Sequence, residues 1–162
     1  MNSKKLVLVS ALLVGCIVTS FSQDYKSAIG LRLGYPVSIS YKTFISEPGA
    51  IEVFGGFRSW TGYKWFNVGG LYEHHAEIPG ADGLSWYFGG GASVFFWTYD
   101  EGFAGGSSTS FGLLGTLGLD YKFAEAPINL SLDWVPHFFI NGYGSGFGGG
   151  YGALSVRYVL SE

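Results

Sequence analysis

From residue 28 onward, apolar side chains alternate with small or polar ones at a period of two. Over residues 28–35, Ile29, Leu31, Leu33 and Tyr35 share one face, and Ala28, Gly30, Arg32 and Gly34 the other. This pattern predicts a strand with one greasy side. After Pro36 it resumes, with Val37, Ile39 and Tyr41 against Ser38, Ser40 and Lys42, until the turn at Glu47-Pro48-Gly49. Further strands are predicted over residues 51–58, 65–75, 84–98, 110–123, 128–134 and 153–160. Between them lie the turn residues Pro79-Gly80, Asp82-Gly83 and Ala126-Pro127, a loop over 100–109, and a glycine-rich stretch over 141–150. The expectation is eight strands joined in up-and-down order.

The second face decides what surrounds these strands. It carries glycine, serine and alanine with a sparse set of charges, whereas a soluble sandwich turns a heavily charged face to water. Only 13% of the residues are charged, while 48% are hydrophobic and 19% aromatic, and a soluble domain carries about 25% charged residues. No apolar run downstream of the N-terminus reaches the ~20 residues of a helical span, so a route through a bilayer requires a closed barrel. Membrane strands need ~9–11 residues each, which fits eight strands into residues 23–162. The predicted fold is an all-β, eight-stranded antiparallel transmembrane barrel. Its small second face lines the lumen, and Leu113, Leu117, Leu119, Leu130, Leu132, Val156 and Leu160 face lipid. Tyr35, Tyr41, Phe57, Phe66, Tyr72, Trp86, Phe123, Trp134 and Tyr158 fall near strand ends, as interfacial aromatic girdles do. A lipocalin-like calyx would place the two faces the other way round.

The N-terminal residues read as a secretory signal. Lys4 and Lys5 precede an apolar stretch over 6–18, and Ser20 and Ser22 suit a cut before Gln23. The expected organisation is a signal peptide over 1–22 and a barrel domain over 23–162. A competing reading takes Leu13-Val14-Gly15-Cys16 as a lipidation site. With the signal removed, the single cysteine is lost, which excludes disulfides and thiolate chemistry from the remaining chain. Seven basic residues then face twelve acidic ones. No basic run is available to neutralise phosphates, so nucleic acid is not an expected partner.

The signal, the alternation and stretches such as SFGLLGTLGLDYKF and INLSLDW resemble the small outer-membrane barrels of Gram-negative bacteria, of the OmpA/OmpX or opacity-like kind. The resemblance implies residence in the bacterial outer membrane, contact with its lipids, and assembly by the barrel-assembly machinery. It implies a structural or surface-interaction role, with a narrow porin-like pore as the alternative. Enzymes that modify lipid A on this scaffold display a serine, a histidine and an acid at the outer rim; no His-x-Ser grouping occurs here.

Candidate chemistry is sparse, and neither a catalytic, a cofactor nor a metal site is expected. His74 and His75 are consecutive on a strand and point to opposite faces, so with Glu77 they make a poor metal cluster. Ser131, Asp133 and His137 share a parity, but four residues of strand separate the acid from the imidazole by ~13 Å. Gly144, Gly146 and Gly149 match a dinucleotide loop only formally, because no helical period follows. Gly89-Gly90-Gly91 reads as relief of crowding in a bent wall. The inward polar set comprises Arg32, Lys42, Glu52, Arg58, Glu73, Asp120, Lys122, Asp133 and Arg157. Its mixed signs predict an interlocked plug. If the 141–150 hairpin turns near Ser145, Asp133 stands directly opposite Arg157 as a cross-strand ion pair.

Overall fold

The computed structural model describes residues 25–99, 106–141 and 146–161. The expected signal peptide with Cys16, and the loop positions Gly105, Gly144 and Ser145, lie outside the described residues.

Among the described residues, ten strand segments form one closed antiparallel sheet. They are β1 (Ser27–Tyr35), β2 (Val37–Ser46), β3 (Gly49–Trp60), β4 (Tyr63–Glu77), β5 (Leu84–Tyr99), β6 (Gly106–Lys122), β7 (Ile128–Trp134), β8 (His137–Phe139), β9 (Gly146–Gly148) and β10 (Gly152–Ser161). Consecutive strands pair from β1 to β6; β6 pairs with both β7 and β8; β7 pairs with β10; and β10 closes onto β1. The ten segments make eight staves, because β7 continues into β8 and β9 into β10. The first break is chemical: Pro136 has no N–H to give to the ladder, although its carbonyl still accepts from Gly115 N at 3.0 Å. The first and last described residues and the turns before β3, β5 and β7 lie at one end of the barrel, and the turns before β2 and β4 at the other.

The period of two places the faces as the alternation predicts. Exposed apolar side chains ring the outside on every stave, among them Leu31, Ile39, Val53, Leu117, Leu132 and Val156. A barrel whose outer wall is apolar and whose interior is polar inverts the arrangement of a soluble calyx.

Two expectations need correction. The loop over 100–109 is shorter than read, because β6 already begins at Gly106 and pairs with Tyr99. The glycine-rich stretch is not all loop, because Gly146–Gly148 forms β9 against β8. The chain therefore turns earlier than Ser145. Asn129 stands opposite Arg157, and Asp133 opposite Ala153. Since the displacement is an even number of residues, both charges keep the inward face while losing each other as ladder neighbours.

The interior is also bulkier than a lining of small residues. Trp65, Tyr87 and Phe95 are fully buried. At the end holding the chain termini, Tyr25 packs with Ala28, Val159 and Phe44. Further in, Phe54, Leu71, Leu114 and Val135 form an apolar layer. Trp65, Phe95 and Phe139 fill the opposite end with Tyr35, Tyr63, Trp97 and Tyr151. Room comes from glycine where staves crowd. A Cβ at Gly89 or Gly91 would run into the carbonyl oxygens of Tyr72 and Gly70, so this triplet serves the packing of β5 against β4.

Candidate functional site

Each stave sends one large polar side chain into the middle of the barrel: Arg32 from β1, Lys42 from β2, Glu52 from β3, Glu73 from β4, Tyr87 from β5, Asp120 from β6, Asp133 from β7 and Arg157 from β10, all buried. Alternation alone brings them there, since every one sits on its strand's inward parity. In a low-dielectric interior such groups are tolerable only when paired and hydrogen-bonded.

The pairing runs across the lumen. Arg32 donates from Nη1 to Glu52 Oε2 at 2.7 Å and from Nη2 to Asp133 at 2.9 Å. Arg157 bridges to the other oxygen of Glu52 through Nη2. It also donates to Ser40 Oγ at 3.1 Å, Ser131 Oγ at 2.7 Å and Asn129 Oδ1 at 3.3 Å. Lys42 Nζ lies 2.8 Å from Glu73 and 3.1 Å from Asp120, beneath the face of Tyr87 at 4.4 Å. Asp120 further accepts from Asn129 Nδ2 at 2.6 Å and Tyr25 Oη at 3.2 Å. Tyr87 Oη donates to Asp133 at 3.0 Å, and His75 Nε2 lies 3.0 Å from Glu73. Cations and carboxylates alternate through this chain of contacts, so each charge is met by its opposite.

Seven residues of the expected inward set thus meet in one layer: Arg32, Lys42, Glu52, Glu73, Asp120, Asp133 and Arg157. The specific pair Asp133–Arg157 does not form as a ladder pair. Asp133 is taken by Arg32 and Tyr87, and Arg157 by Glu52. Lys122 stands nearer the chain termini, donating to the carbonyls of Phe123 at 2.8 Å and Ala126 at 3.4 Å. Arg58 stands at the opposite mouth, its guanidinium carbon 3.8 Å from the ring centre of Tyr35. Tyr35 accordingly turns into the mouth and not onto an outer girdle, while Tyr41, Phe57, Phe66, Tyr72, Trp86, Phe123, Trp134 and Tyr158 are exposed on the wall. Sequence reasoning missed Tyr25, Tyr87 and Asn129 as members. Inward parity was the available signal for Tyr87 and Asn129, whereas Tyr25 precedes β1 in the phase of the outward Ile29 and Leu31, beyond a register shift between Ser27 and Ala28 that the alternation does not announce.

The remaining candidates disperse. His75 faces inward and stacks on Tyr87 at 4.9 Å, whereas His74 faces outward against Phe88 at 5.3 Å. No group of three metal-ligating side chains occurs among the described residues. His137 Nδ1 bonds the Val135 carbonyl at 2.8 Å and its ring packs on Tyr151 at 4.2 Å. Ser131 and Asp133 are occupied by arginines, so the three do not assemble a relay. Between the charged layer and the aromatic end lies a cavity of about 20 Å³ bordered by Arg32, Ser38, Asn67 and His137, room for about one water molecule.

Against known proteins, no family model and no curated relative matches the chain. Among solved structures, the crystal structure of Neisserial surface protein A (NspA) matches with a TM-score of 0.53 at 16% identity, covering 83% of this chain and 93% of that one. The likeness is one of fold: a small closed barrel of antiparallel strands.

Proposed function

We propose that this chain is an integral barrel of the bacterial outer membrane, exported by an N-terminal signal peptide, with a sealed lumen and a structural or surface-interaction role. The observation that carries the reading is the polar layer to which all eight staves contribute. Three arginine and lysine side chains and four carboxylates are buried in the lumen and bind one another, which supports a plug over a lined passage. The apolar outer wall suits lipid as its surroundings, and the fold shared with Neisserial surface protein A accords with that setting. The barrel-assembly machinery would be its partner during insertion. A serine–acid–imidazole relay finds no support in the arrangement, because Ser131 and Asp133 are bound by Arg157 and Arg32 and His137 Nδ1 by the Val135 carbonyl.

Planar-bilayer recording of the purified full-length protein tests the reading. Electrical silence is expected. Discrete openings of uniform size in the unmodified protein would favour the narrow-pore alternative and overturn the sealed lumen.

A further inference from the structure

The mouth opposite the chain termini holds the one arginine that the interior network does not use. Among the described residues Arg32 and Arg157 each have a carboxylate partner, and Arg58 has none. Arg58 is nevertheless fixed. Its guanidinium carbon lies 3.8 Å from the ring centre of Tyr35 and 5.4 Å from that of Trp60, and its Nε is enclosed without a hydrogen-bond acceptor. Tyr35 is itself held edge-on by Tyr151 at 5.4 Å and tilted on Trp65 at 6.0 Å. The two Nη groups are not enclosed as Nε is, and a pair of guanidinium N–H donors matches the oxygens of a carboxylate or phosphate.

Beside this fork stands an open aromatic surface. Trp60 ends β3 at the hairpin tip with 62% of its surface exposed. Tyr63 pairs with it across the turn and packs on Trp97 at 6.3 Å. An anchored cation next to an exposed indole accepts a ligand having both an anionic group and a flat face of C–H bonds. The indole supplies amphipathic contact area at small entropic cost.

We propose that this mouth binds an anionic saccharide, a sugar bearing a carboxylate or a phosphate. Arg58 holds the anion and Trp60 stacks on the ring. The inference rests on the surface-interaction reading of the barrel and names a ligand class for it.

The test is NMR titration of the full-length barrel in neutral detergent, following the Trp60 indole N–H, assigned by Trp60→Phe, and the Arg58 Nε–H. The probes are glucuronate, glucose 6-phosphate and neutral glucose. Saturable shifts with the two anionic sugars are expected, with glucose weaker by about tenfold or more, as befits loss of a charge-assisted contact. Arg58→Gln should weaken glucuronate binding by a similar factor while leaving the rest of the spectrum in place, and Arg58→Lys should recover part of it. A response to free sugars assigns a soluble ligand. A response confined to nanodiscs carrying a phosphorylated glycolipid assigns a headgroup of the surrounding membrane, and either outcome supports the site. Equal binding of glucose and glucuronate, unchanged affinity in Arg58→Gln, or no response from either source overturns it. The titration is indifferent to conduction, so its failure is distinguishable from failure of the sealed-lumen reading.

Discussion

Glu52 on β3 and Arg157 on β10 bind each other across the lumen, although β1 and β2 stand between them in the wall. Arg32 completes the arrangement by taking the second oxygen of Glu52 and then reaching Asp133. Glu52 therefore ties β3 to β1 and β10 through side chains alone, bracing staves that are not neighbours in the wall. Removing one partner of a buried pair costs about 3–5 kcal/mol, because the other charge is left without compensation.

The coupling should accordingly reside in Glu52–Arg157 and not in Asp133–Arg157. Urea unfolding in detergent of Glu52→Gln, Arg157→Gln and the double variant is expected to show single losses of about 3–5 kcal/mol and a double loss well below their sum. The cycle pairing Asp133→Asn with Arg157→Gln should be closer to additive. A larger coupling in the second cycle would contradict the observed register.

The outer wall gives a second prediction. Leu132 points outward from β7 at 60% exposure. In water an exposed Leu→Arg change costs little, whereas arginine at the midplane of a lipid-facing strand costs about 2–4 kcal/mol. Leu132→Arg should therefore slow or weaken folding into lipid vesicles, with a smaller effect in detergent micelles that adapt around the charge. Equal folding into vesicles by the variant and the parent would argue that lipid does not cover this face.

Glycine spacing in the wall is testable without touching a charge. A Cβ at Gly91 meets the Gly70 carbonyl, while one at Gly70 has only ordinary contact with the Glu52 carbonyl at 3.9 Å. Gly91→Ala is expected to lower stability by about 1–3 kcal/mol, the usual cost of overpacking, and Gly70→Ala to be nearly neutral. Thermal unfolding followed by circular dichroism separates the two.

Much of this architecture is legible in the chain because a period of two has only two phases. Once Ile29, Leu31 and Leu33 are set facing out, Arg32 must face in, and the same logic delivers Lys42, Glu52, Asp120 and Arg157 to the lumen. Parity says nothing of which inward residue meets which. That depends on where each hairpin turns, and the glycine-rich 141–150 stretch offers many turning points at similar energy. A turn centred about two residues earlier than Ser145 moves the partner of Asp133 by four residues, from Arg157 to Ala153, without changing its face. Contacts across the lumen, such as Glu52 with Arg157, depend also on barrel closure and strand stagger, which no local pattern encodes. The aromatic end was hidden for another reason: Trp65, Phe95 and Trp97 are inward residues of the same chemical type as the outward girdle. Only their parity separates the two sets.

On the sealed-lumen proposal two layers are candidates for the barrier, and the charged one should be it. The aromatic layer of Trp65, Phe95 and Phe139 touches by van der Waals contact alone. Cutting it back with Trp65→Ala and Phe95→Ala widens the mouth, at about 3–5 kcal/mol for each substitution. Beneath it the ion pairs among Arg32, Glu52, Asp133 and Arg157 are untouched, so bilayer recordings should stay silent. Replacing Tyr87 by alanine and Arg157 by serine acts differently. It deletes two fully buried side chains, frees Glu52 and Asp133 from one partner each, and leaves carboxylates facing an enlarged space that water can enter. This pair should give small, cation-preferring openings at neutral pH, because the layer then holds only Arg32 and Lys42 against four carboxylates. Openings from the aromatic variant, or silence from a folded Tyr87→Ala/Arg157→Ser barrel, would move the barrier away from the charged layer.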